Sequence, residues 1–170
     1  MSETRPHWWP AFIGIGSNLG EPVQQVEQAI KALAGLEQSR LILCSSLYRS
    51  APVGPQDQPD FINAVVAVLT RLAPQGLLTS LQAIENVQGR TRSGERWGPR
   101  TLDLDLLVYG QASVATAELT LPHPRIAERN FVLLPLSEIA PHLPIPGLPS
   151  VPQLVQQLVL SEPAIERLTR

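Results

Sequence analysis

What the chain has little of already narrows its chemistry. Among its 170 residues there is one cysteine, Cys44, so no internal disulfide can form. Lying in the apolar run LILCSSLY, Cys44 reads as a small buried residue. Lys31 is the sole lysine, and no GxxxxGK[ST] phosphate loop is present. No window approaches the roughly 18 apolar residues of a membrane span. The opening stretch MSETRPHWWPAF lacks the basic start and apolar run of a secretion signal, so the reducing cytoplasm is the expected compartment. A net charge of −2 gives no positive excess with which to hold nucleic acid or an anionic membrane. What is present, 44% hydrophobic and 16% charged residues, describes a folded chain, expected as one domain over 1–170 with its own core.

Periodicity supplies the order of elements. AFIGIGSN (11–18) predicts a buried strand ending in a Gly/Ser/Asn turn. A helix follows from Pro22, with Val23, Val26, Ile30 and Leu33 at helical spacing and Gly35 as its stop. RLILCSSLYRS (40–50) predicts a second strand, APVGPQDQPD (51–60) a loop and FINAVVAVLT (61–70) a third strand. Pro74 opens a second helix with Leu77, Leu78, Leu81 and Ile84 on its apolar face, and Gly89 ends it. Residues 90–100 form a long polar loop, and TLDLDLLVYG (101–110) a fourth strand. The expected class is α+β: a ferredoxin-like βαββαβ core, an antiparallel sheet with helices packed on it, plus a C-terminal extension. That extension is Pro-rich, ends in an amphipathic helix near 151–159 and is expected to pack on the same sheet.

The anomaly is GERWGPRTLDLDLLVYG (94–110). On a strand, residues two apart face the same way, so Asp103 and Asp105 project from one face while Leu102, Leu104 and Leu106 project from the other. Like charges so placed repel, and aspartate is disfavoured in strands. One reading is a solvated sheet face. The other is that a cation relieves the repulsion: carboxylates without nearby His or Cys suit Mg²⁺, which is usually held by one or two carboxylates plus substrate phosphates. A pair of such ions could be bridged by the two acids. Just upstream, Arg90, Arg92, Arg96 and Arg100 offer planar forks for phosphate oxygens. Metal and arginine around a polyphosphate are the equipment of phosphoryl transfer. GIGSNLG is not a GxGxxG turn, so a nucleotide would be handled outside the P-loop and dinucleotide-fold solutions.

GSNLG (16–20), GPQDQPDFINAV (54–65), RWGPRTLDLDLL (96–107) and LPHPRIAERNFVLLPL (121–136), in this order and spacing, resemble the 6-hydroxymethyl-7,8-dihydropterin pyrophosphokinases of folate biosynthesis. The resemblance covers roughly residues 11–158. It implies that ATP donates its β,γ-diphosphate to the pterin hydroxymethyl group, releasing AMP. It implies that Asp103 and Asp105 hold two Mg²⁺ ions, and that Arg90 and Arg100 act with them on the transferred group. For ATP it implies Gln82, Glu85, Arg92, Arg96, Trp97, Thr120, His123 and Arg129. For the pterin it implies Ser50, Ala51, Val53, Phe61, Asn63 and Phe131, with the two phenylalanines sandwiching the ring and Asn63 serving its polar edge.

Ser93, Phe61, Glu118 and Pro124 depart from residues carried by some relatives, which bears on nucleotide affinity more than on reaction type. A monomer is expected. Two other classes fit parts of the chain: a ferredoxin-like ligand- or RNA-binding module, and a divalent-metal nuclease. The first has no need of two acids on one strand face. The second lacks a further acidic cluster beside them.

Overall fold

A computed structural model describes residues 6–55, 57–88, 102–158 and 164–169. The elements in chain order are β1 (Trp9–Ser17), α1 (Pro22–Ala34), β2 (Ser39–Cys44), β3 (Tyr48–Ser50), β4 (Phe61–Thr70), α2 (Pro74–Val87) and β5 (Asp103–Tyr109). After them come a small hairpin of β6 (Val114–Ala115) and β7 (Thr120–Leu121), a 3₁₀ turn (Ile126–Glu128), α3 (Asn130–Ile139), α4 (Val151–Leu158) and β8 (Ile165–Arg167).

The main sheet is antiparallel, with β5, β1, β4, β3 and β8 side by side and β2 pairing with the far end of β4. Counting β2 and β3 as one interrupted strand, the order is that of the expected βαββαβ core. The helices sort by chain position. α1 and α2 cover one face, where Val26, Ala29, Leu33, Leu77 and Leu81 meet Ile13, Ile15, Ala64 and Val66. α3 and α4 cover part of the other, where Val132, Leu133, Leu136 and Leu154 meet Phe12, Val65 and Ala67. The C-terminal third thus packs on the same sheet.

Several expectations change. The strand over 40–50 is two strands, because Ser45 breaks it: its amide donates to the Val65 carbonyl at 2.9 Å and its hydroxyl accepts from the Val65 amide at 2.9 Å. Cys44 is exposed, not buried, since β2 lies at a sheet edge and Ile42 and Leu43 beside it are also exposed. Val23, expected on the apolar face of α1, is exposed, and Ala29 takes its place in the core. β1 begins at Trp9, two residues before the expected start. Between β1 and β5 the register slips: Ile13 faces Leu106 but Phe12 faces Val108, leaving Leu107 as an extra residue. Leu107 joins the α3 face, and an added Cβ at Gly14 would meet it at 3.6 Å.

Candidate active site

The α3 side of the sheet is filled only at one end. At the other end, β1 contributes Gly14 and Gly16 where its neighbours place side chains, and a cavity of about 310 Å³ opens over them. Its floor and rim alternate by strand: Asp103 and Asp105 on β5, Gly14 and Gly16 on β1, Phe61 and Asn63 on β4, and Ser50 on β3. Register explains the closeness, since Gly16 pairs with Asn63 on one side and Asp103 on the other. A Cβ on residue 16 would stand 3.3 Å from Asn63 Oδ1, so glycine here keeps the trough clear.

At the acidic end, Leu104 between the two aspartates faces the opposite core and is buried, as strand alternation demands. Its amide, on the sheet edge, donates to Glu85 Oε2 at 3.0 Å. Glu85 is itself buried on α2, so a carboxylate from the helix layer fixes the strand segment carrying both acids. Asp105 Oδ2 lies 3.5 Å from Arg129 Nη1, and Arg129 also sits over the Phe131 ring, 5.7 Å from its centroid. Arg129 therefore stands between the acidic end and the aromatic end of one cavity.

His123 reaches the cavity from the Pro-flanked turn after β7. Its amide donates to the Leu107 carbonyl at 2.8 Å, and its Nδ1 accepts from the Arg125 amide at 3.1 Å. That contact makes Nε2 the protonated nitrogen of a neutral ring. Burial first, then Arg129 and Arg125 against the opposing pull of Asp103, lowers its pKa to about 4. At pH 7 it is a neutral hydrogen-bond donor.

At the aromatic end Asn63 is buried, and its Nδ2 donates to Ser50 Oγ at 2.7 Å. This fixes the amide's orientation and leaves the carbonyl oxygen beside Gly16. Phe61 and Phe131 line the cavity from β4 and α3, with Ala51 and Val53 closing it from the loop after β3. Buried Asn18, in the turn after β1, donates to Gln58 Oε1 and to the Pro59 carbonyl, both at 3.0 Å, and so holds the far end of that loop.

Residues 12–141 match the family of 7,8-dihydro-6-hydroxymethylpterin-pyrophosphokinases. The chain belongs to this family. It is 49% identical over 147 residues to the 2-amino-4-hydroxy-6-hydroxymethyldihydropteridine pyrophosphokinase of Haemophilus influenzae, covering 86% of this chain and 91% of that one. With the enzyme of the same name from Pseudomonas aeruginosa the identity is 47% over 144 residues, covering 85% and 88%. The fold resembles that of wild-type Plasmodium falciparum HPPK-DHPS with STZ-DHP, with a TM-score of 0.71 at 13% identity. That match covers 92% of this chain and 44% of the other, and bears on fold alone. The chain is thus a pyrophosphokinase, and the site can be read as one.

Of the residues expected at a pyrophosphokinase site, the cavity gathers Asp103, Asp105, His123, Arg129 and all six of Ser50, Ala51, Val53, Phe61, Asn63 and Phe131. Three others are placed elsewhere. Glu85 is occupied with Leu104, Gln82 lies a helical turn away on the same helix, and Thr120 is exposed on β7; none lines the cavity. Arg90, Arg92, Arg96, Trp97 and Arg100 lie outside the described residues. The cavity also takes in Arg125, Gly14 and Gly16, none of them among the expected site residues. Arg125 sits in the same PHPRIAERN run as His123 and Arg129, and that clustering was the available signal.

Proposed function

We propose that this chain transfers the β,γ-diphosphate of ATP to the hydroxymethyl group of 6-hydroxymethyl-7,8-dihydropterin, giving AMP and the pterin diphosphate on the route to folate. The observation that carries the proposal is one cavity with two unlike ends. Paired strand carboxylates and Arg129 stand at one end; Asn63, Phe61 and Phe131 stand at the other.

The acidic end fits magnesium. Its donors are two carboxylates on one strand face, and no group of three or more His, Cys, Asp or Glu gathers among the described residues. Among the described residues nothing there forms a soft-metal cage, whereas Mg²⁺ takes its remaining ligands from phosphates and water. Two ions held by Asp103 and Asp105 would supply charge neutralisation and orientation of the triphosphate.

The protein's own groups do the rest. Asn63 offers its carbonyl oxygen to the amino edge of the heterocycle while Ser50 holds its amide in place. Phe61 and Phe131 bound the flat ring, presenting its hydroxymethyl arm toward the carboxylates. The hydroxyl oxygen attacks the β-phosphorus and loses its proton to water, the bond from that phosphorus to the α–β bridging oxygen breaks, and AMP leaves with that oxygen. Neutral His123 donates from Nε2 to the nucleotide, and Arg129, beside Asp105, offers its guanidinium to a phosphate oxygen. Arg90, Arg92, Arg96, Trp97 and Arg100 would close over ATP and exclude water. The reading is of a cytoplasmic monomer using two small substrates, with neither nucleic acid nor membrane as partner. Incubation with ATP, Mg²⁺ and the dihydropterin should yield AMP in step with pterin diphosphate.

A further inference from the structure

Residues 51–55 and 57–60, which bring Ala51 and Val53 to the cavity, lie outside helix and strand and are rich in proline, so their conformation depends on what holds the two ends of the segment. Asn18 holds the far end. At the near end stands β8, far away in sequence. It pairs antiparallel with β3, matching Tyr48 to Arg167, Arg49 to Glu166 and Ser50 to Ile165. The pairing runs past both ends of the strand: the Leu168 amide donates to the Leu47 carbonyl at 2.9 Å, and the Ala51 amide to the Ala164 carbonyl at 3.2 Å. The last of these bonds fixes the first residue of the loop.

Side chains reinforce the pairing. Arg167 Nη2 lies 3.1 Å from Glu138 Oε1 on α3, and its Nε donates to Ser46 Oγ at 3.1 Å. Glu138 also accepts from the Ser46 amide and from the Tyr48 hydroxyl. Glu166 adds a contact to Arg49 at 3.8 Å. β3 is thereby held between β4, β8 and α3, and Ser50 at its end accepts the Asn63 hydrogen bond. Yet β8 itself contributes little core: Glu166 and Arg167 are exposed and Ile165 is only half-buried. What it adds is placement.

We propose that β8, anchored by Arg167 on Glu138 and Ser46, is a positioning element for the heterocycle end of the cavity, fixing Ser50, Ala51 and through Ser50 the amide of Asn63. The proposal rests on the function proposed above. None of the β8 residues touches the cavity, so the effect should fall on pterin affinity and spare the nucleotide.

The test uses calorimetry on the full chain, on Arg167→Ala, on Arg167→Lys and on a chain ended after residue 163. 6-Hydroxymethylpterin, the oxidised and unreactive heterocycle, is titrated into protein saturated with Mg²⁺ and a non-transferable ATP analogue; the analogue is also titrated alone. The shortened chain should bind the pterin about tenfold more weakly, equivalent to roughly 1.4 kcal/mol. Arg167→Ala, whose ion pair is half in solvent, should weaken it about threefold, and Arg167→Lys should recover part of that. Analogue affinity should stay within about twofold in all four. Unchanged pterin affinity in the shortened chain would overturn the proposal, as would equal weakening of both ligands, which marks a general loss of structure. A full chain that binds the analogue but no pterin would overturn the function reading itself, and the proposal with it.

Discussion

On β4, Ile62, Ala64, Val66 and Val68 face α1 and α2 and are buried, while Phe61 and Asn63, alternating with them, look into a cavity. β5 repeats the contrast: Leu104 and Leu106 are buried on the helix-covered face, and Asp103 and Asp105 stand half-buried on the other. The same strands therefore build a closed core on one face and, at one end of the other, an open cavity, and the period of two keeps the two sets of side chains separate. On the α1/α2 face, side chains interdigitate and a change should cost stability. At the end of the α3 face that the helices leave uncovered, glycines and acids stand where packing would favour aliphatics, so a change there should cost ligand binding or chemistry.

The sharpest way to break that contrast is to exchange the costs. Asp103→Ala or Asp105→Ala should lower kcat by roughly 10²–10³-fold or more in an AMP-release assay. Its thermal midpoint should hardly move, because relief of like-charge repulsion offsets the lost contact from Asp105 to Arg129. On the sealed face, Leu81→Ala should lower unfolding free energy by about 2–5 kcal/mol in urea titrations. Its KM values should not change, since Leu81 is fully buried and does not reach the cavity.

His123 extends the comparison to pH. Its folded pKa of about 4 lies below the ordinary 6.5, so the unfolded chain binds the extra proton first as pH falls. The stability it contributes is whole above pH 6.5 and is lost as pH drops toward 4, by up to roughly 3 kcal/mol at 1.36 kcal/mol per pKa unit. In His123→Gln the slope of unfolding free energy against pH between those limits should be shallower by one proton. A smaller effect than these is expected from Gly16→Ala. Its Cβ would press on Asn63 Oδ1, raising the pterin KM about tenfold, roughly 1.4 kcal/mol, with ATP KM little altered.

The Asp pair was legible because two acids at strand spacing contradict every local preference, and a contradiction of that kind is informative. α1 and α2 were legible through their spacing and prolines. The break in the strand over 40–50 was not: LILC and LYRS are equally good strand formers, and what separates them is the bonding of Ser45 to Val65, twenty residues on. Cys44 misled for the same reason, since an apolar run does not reveal whether a helix lies over it. Gly14 and Gly16 read as part of a turn signature, and only register with Asn63 and Asp103 shows that they floor a trough. β8 is three residues long and its partner lies more than a hundred residues earlier, beyond the reach of any local pattern.

On the function proposed above, the two ends of the cavity serve one transfer, of a diphosphate from nucleotide to heterocycle. Following nucleotide products by anion-exchange chromatography while the protein acts on ATP, Mg²⁺ and 6-hydroxymethyl-7,8-dihydropterin tests it directly. AMP should form in a one-to-one ratio with pterin diphosphate, and none should form when the pterin is omitted. ADP as the product, or AMP released at the same rate without the pterin, would rule out diphosphate transfer to the heterocycle.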